Sequence, residues 1–104
     1  MNYGTYNQLY DSWMRLIDYG LNYGEVLLLT KINNIFSNTG NPIYATDGWF
    51  SQYFYTSPRT VQRWISNLEK KNLIIKETVT APNGNMQRSL SPNYSIIDKL
   101  TKTC

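Results

Sequence analysis

At 104 residues the chain supports one small domain and is too short for two of ordinary size. Apolar residues make up 41% and aromatic residues 14%, which excludes a disordered composition, and no apolar run approaches the roughly 18 residues of a membrane span. Residues 1–50 hold two bases and four acids and residues 51–104 hold eight bases and three acids, so the net +3 sits in the second half, where a polyanion-facing surface is expected.

Residues 5–19, "TYNQLYDSWMRLIDY", predict a helix capped by Thr5. Tyr6, Leu9, Tyr10, Trp13, Leu16 and Ile17 recur at three- and four-residue spacing, and Gly20 stops the pattern. Residues 22–37 predict a second helix, with Asn22 as its cap and Glu25 in capping-box position. Val26, Leu29, Ile32, Ile35 and Phe36 form its buried face, widened by Leu27 and Leu28, so it is expected to be central. "NTGNP" (38–42) breaks it, and "IYA" (43–45) is short and β-prone.

Thr46 caps a short helix over 47–54, and Tyr55 and Thr56 form a tight turn. Ser57 caps the next helix, with Pro58 at the first position, where its missing N–H costs nothing, and Asn72 ends it. Residues 73–80 are strand-like, "APNGN" (81–85) signals a hairpin turn centred on Asn83-Gly84, and 86–91 pair back until Pro92 interrupts. Tyr94, Ile96 and Ile97 are available for packing. The expected fold is mainly α with a small β-hairpin, a winged helix-turn-helix. One domain over 1–98 holds the helix-turn-helix at 46–71 and the wing at 73–91, with a flexible tail at 99–104.

Catalysis is poorly served. The chain has no histidine, which removes histidine acid–base chemistry and most zinc sites. Cys104 is alone at the last residue, which fits a reducing compartment. The carboxylates are scattered, and no glycine-rich phosphate loop is present. No enzyme activity, cofactor or metal is expected. The N-terminus lacks a basic stretch before an apolar one, so no secretory signal is read and a cytoplasmic location is expected.

The informative element is "SPRTVQRWISNLEKKNLI", residues 57–74. At ~100° per residue, Val61, Ile65 and Leu68 fall on one side, and Arg59, Arg63, Ser66 and Lys70 fall opposite, flanked by Gln62 and Asn67. Arginine, glutamine and asparagine are the side chains that bond base edges in the major groove. Ser57 and Thr60 suit phosphate oxygens. Thr46 and Ser51 or Gln52 on the preceding helix are expected at the DNA backbone, and Lys76 and Arg88 on the hairpin at the adjacent groove. Double-stranded DNA is therefore the expected partner, against the plainer reading of a solvated basic face. Trp64, Trp13, Trp49 and Phe50 are read as packing. A homodimer through the tyrosine-rich N-terminal helix is a further partnership, and the rival function is a protein–protein module without DNA binding, in which the winged-helix surface and that N-terminal helix dock a partner; no membrane is expected.

"ATDGWFSQYFYTSPRTVQRWISNLEKKNLI" resembles the helix-turn-helix segment in the N-terminal domains of replication initiators and replisome organisers from plasmids and phages of Gram-positive bacteria. Ser57, Arg59, Thr60, Val61, Arg63, Trp64, Ile65, Leu68, Glu69, Lys70, Lys71, Leu73 and Ile74 carry the likeness, and the spacing of 27–46 is similar too. The resemblance covers roughly residues 21–90. It implies winged-helix DNA binding, at an origin or other site in replication, or as a small transcriptional regulator of a mobile element. Such initiators continue into a second domain, so the sequence is either the DNA-binding fragment of a longer initiator or a stand-alone protein.

Overall fold

A computed structural model describes residues 15–101. The expected first helix lies mostly outside the described residues. What is described is a 3-10 turn, Arg15–Ile17, closed by Gly20 in the left-handed region (φ 102°). Leu16 is fully buried and anchors this turn in the core.

Helix α1 runs Tyr23–Thr39. Its start is the full capping box: the Glu25 N–H donates to Asn22 Oδ1 and the Asn22 N–H donates to Glu25 Oε1, both at 2.8 Å. Gly40 (φ 71°) ends it, its N–H donating to the Phe36 carbonyl. Val26, Leu28, Leu29 and Ile32 are buried. Leu27 remains 46% exposed, contrary to expectation, because it lies off the stripe that faces the other helices.

Helix α2 (Asp47–Tyr53) is capped by Thr46, whose Oγ1 accepts from the Trp49 N–H at 3.1 Å. Helix α3 (Pro58–Lys70) is capped by Ser57, whose Oγ accepts from the Thr60 N–H at 3.1 Å, with Pro58 in its first turn. The two helices are joined by a turn at Tyr55, whose φ is 54°. Asn72 (φ 61°) closes α3, and the Leu73 N–H reaches back to the Leu68 carbonyl at 2.9 Å.

Strands β1 (Ile74–Thr80) and β2 (Met86–Pro92) form an antiparallel hairpin in register from Ile74 opposite Pro92 to Thr80 opposite Met86. Ile43 bridges Leu90 on the outer edge of β2, with 2.9 Å bonds in both directions, so the β-prone 43–45 stretch supplies one bridge. The tip differs from a two-residue Asn-Gly turn. The Ala81 N–H donates to the Asn85 carbonyl and the Gly84 N–H to the Ala81 carbonyl, and only Gly84 has positive φ (88°). The loop is therefore the three-residue type, a turn through Pro82-Asn83 followed by a left-handed glycine.

A further helix, α4 (Tyr94–Thr101), was not expected. Pro92 ends the strand and the chain turns at once into a helix. Asn93 donates its N–H to the Leu73 carbonyl and its side-chain amide to the Asn72 carbonyl, both at 2.9 Å. Ile97 is 1% exposed, and Tyr94 donates its hydroxyl to the buried Asn33 side chain of α1. The expected flexible segment 99–104 is thus helical through Thr101, because α4 packs against the Arg15–Ile17 turn.

The domain is mainly helical with one small antiparallel hairpin. One core unites it: Phe50, Val61, Leu68, Leu73 and Leu90 are fully buried, as are Leu28, Leu29 and Ile32 of α1. No described helix is long and apolar enough to cross a membrane.

Candidate nucleic-acid interface

Helix α3 is divided as its periodicity predicts. Val61 and Leu68 are fully buried and Ile65 is 3% exposed, whereas Arg59, Gln62, Arg63, Ser66 and Lys70 are exposed on the other side. Burying three branched side chains, at roughly 1.5–3 kcal/mol each, fixes which face of the helix looks outward.

Two contacts fix the outward face in rotation. Trp64 lies against the first turn of α1. A Cβ built on Gly24 falls 2.2 Å from Trp64 Cζ2 and 2.4 Å from Cε2, so only glycine lets the indole approach this closely. The indole also meets Phe54 edge-on at 5.9 Å, which joins α1, α2 and α3 at one point. The second contact is polar. Asn67 Nδ2 donates to Glu25 Oε2 at 2.7 Å. Glu25 is 5% exposed, so one buried carboxylate caps α1 with one oxygen and holds α3 with the other.

Between the start of α1 and the outer face of α3 runs a groove of about 570 Å³. Of the residues expected at DNA, Arg59, Thr60, Gln62, Arg63, Ser66, Asn67 and Lys70 line it together. Asn22, Glu25 and Trp64 complete the lining and were not assigned to it from sequence. The capping-box spacing signalled Asn22 and Glu25 as local structure, but nothing local announces that Glu25 also faces α3. The groove holds three cations and one carboxylate, a net positive surface.

Thr46, Gln52, Ser57, Lys76 and Arg88 lie outside that groove. Thr46 and Ser57 have their hydroxyl oxygens engaged as helix caps, and Gln52 is exposed on α2. The hairpin cations are committed elsewhere. Lys76 Nζ pairs with Glu69 Oε1 at 3.2 Å, each about 40% exposed. Arg88 turns inward: Nη1 donates to Asp47 Oδ1 at 2.5 Å and Nη2 to the Ala45 carbonyl at 2.9 Å. Its Nε is buried without a partner among the described residues. The expectation that Arg88 reaches into an adjacent groove is corrected. Opposite β2 stands the carboxylate at the start of α2, and the guanidinium joins the hairpin to α2 instead. Among the described residues both basic side chains of the hairpin are ion-paired, whereas Arg59, Arg63 and Lys70 of α3 are exposed in the groove.

Among the described residues no group of histidine, cysteine or acidic side chains is arranged to hold a metal. No family model matches the chain, and no curated protein matches it.

Proposed function

We propose that the chain is a winged-helix protein that binds double-stranded DNA, with α3 in the major groove. The observation that carries this reading is the outward face of α3. Arg59, Gln62, Arg63, Ser66 and Lys70 are all exposed and line one groove, on a helix held in rotation by the Trp64–Gly24 and Asn67–Glu25 contacts. A rigid helix bearing base-edge donors at one-turn spacing is what direct readout requires. Arg59 and Arg63 carry the base contacts, with Gln62 and Ser66 beside them. Thr60 and Lys70 hold phosphate. Asn67, tied through one amide N–H, keeps its oxygen available to accept.

The process we propose is site marking in the replication of a plasmid or phage, on the likeness of residues 45–74 to initiator domains; occupation of a promoter in a mobile element is the alternative. Footprinting separates them by whether the protected sequence lies in an origin or over a promoter. Binding itself is tested by titrating a duplex against salt. With Lys70 on phosphate the slope of log K against log salt is about −1, and it reaches about −3 only where Arg59 and Arg63 also neutralise phosphates. Absence of binding at low salt refutes the reading.

A second reading, a protein-docking module, rests on α2. Trp49 and Tyr53 stack at 5.2 Å and still remain 44% and 49% exposed. Association through that surface would be nearly independent of salt, in contrast to DNA binding.

A further inference from the structure

Five described positions have backbone in the left-handed region. Four are filled by residues that tolerate it: Gly20, Gly40, Gly84 and Asn72. The fifth is Tyr55, at φ 54°. It occupies the turn that ends α2, where the Thr56 N–H donates to the Ser51 carbonyl at 2.9 Å and the Tyr55 N–H to that of Gln52 at 3.4 Å. Glycine is the usual residue at this point of such a turn, and a bulky side chain there destabilises the backbone.

No packing among the described residues offsets that cost. The Tyr55 side chain is 96% exposed, the most open of the large apolar and aromatic side chains among the described residues. It therefore contributes almost nothing to the core, unlike Phe54 beside it, which packs against Phe50 and Trp64. A strained position with an unused aromatic side chain, on the connection into the helix that bears Arg59 and Arg63, calls for a role outside the fold.

We propose that Tyr55 is a DNA-backbone anchor: its hydroxyl donates to a phosphate oxygen at the wall of the groove that α3 enters. The inference rests on the DNA-binding reading above and deepens it. When a helix of this kind enters a major groove, the turn leading into it passes close to the sugar–phosphate chain. A tyrosine hydroxyl is a regular donor to phosphate. Being neutral, it strengthens binding without releasing a counterion, which distinguishes it from an arginine or lysine on the same duplex.

The test measures stability and affinity on the same variants. Tyr55→Gly relieves the backbone and is expected to raise the melting temperature by roughly 2–6 °C. It is expected to weaken binding to a mixed-sequence duplex roughly tenfold, the loss of one hydrogen bond to a charged group. Tyr55→Phe keeps the ring and removes the hydroxyl, so it loses nearly as much affinity while its melting temperature stays near wild type. Neither variant changes the salt slope, whereas Arg59→Ala lowers it or alters sequence preference.

A Tyr55→Gly protein that melts higher and binds DNA like wild type overturns the proposal, and so does a Tyr55→Phe protein that binds like wild type. If Arg59→Ala weakens binding in that same series, only the role of Tyr55 fails and the DNA reading stands. A wild-type chain that binds no duplex overturns both.

Discussion

The contact between Gly24 and Trp64 gives the sharpest test of how α3 is held. Replacing glycine by alanine in an exposed helix stabilises it by about 0.5–1 kcal/mol. Here the added Cβ falls 2.2 Å from the indole, where ordinary contact begins at 3.4 Å, so the ring must retreat by about 1.2 Å. It has little room to do so, because Phe54 stands at its edge. Overpacking of this kind costs about 1–3 kcal/mol. The helix gain offsets part of it, leaving Gly24→Ala destabilising by up to about 2.5 kcal/mol. For a domain of this size that lowers the melting temperature by up to roughly 15 °C. The assay is a thermal melt followed by far-ultraviolet circular dichroism, with a urea titration for the free energy. A second background isolates the cause. In Trp64→Leu the indole is gone, and Gly24→Ala there becomes neutral or stabilising, a coupling that a double-mutant cycle reads directly. A Gly24→Ala protein that melts higher than wild type in the Trp64 background would refute the close approach and the account of how the α3 face is oriented.

Other substitutions probe separate parts of the molecule. Ile65→Ala, at a side chain 3% exposed, is expected to cost about 2–5 kcal/mol in a urea titration; an unchanged midpoint would mean that the helix presents its other face. Arg63→Ala is expected to cost about 1–3 kcal/mol on a sequence selected from a random pool and much less on a scrambled one, and equal losses on both would reassign Arg63 to phosphate. Arg88→Ala, which leaves Asp47 without its partner, is expected to lower stability by about 1–3 kcal/mol while leaving the salt slope of DNA binding unchanged; a slope reduced by about one would return Arg88 to the interface. Gly84→Ala places a Cβ in open space at φ 88°, so its expected loss of about 1 kcal/mol comes from backbone conformation alone, and a protein of unchanged stability would show that the hairpin tip adopts another turn.

The sequence by itself determined where α1, α2 and α3 begin. Asn22 with Glu25, Thr46, and Ser57 with Pro58 each satisfy backbone groups within four residues of themselves, so their effect survives without any knowledge of the fold. It also determined which face of α3 is buried, because Val61, Ile65 and Leu68 share a side of any helix drawn through them. Asn72 was legible as a helix end for the same local reason.

Tertiary structure alone decided what the polar side chains do. Asn67 and Arg88 were read as free to meet DNA, yet their partners, Glu25 and Asp47, lie 42 and 41 residues away along the chain. A long side chain has many reachable partners, and the choice depends on which elements folding brings within hydrogen-bond distance. The hairpin accordingly lost its expected basic character once Arg88 turned to α2 and Lys76 to Glu69. Helix α4 was hidden for a related reason. Eight residues are too few to hold a helix by propensity, and it exists because Ile97 has a core to enter and Asn93 has the end of α3 to bond. Local chemistry sets where an element starts and which side is greasy; the partner of a charged or amide group is set by distance through space, which no spacing along the chain records.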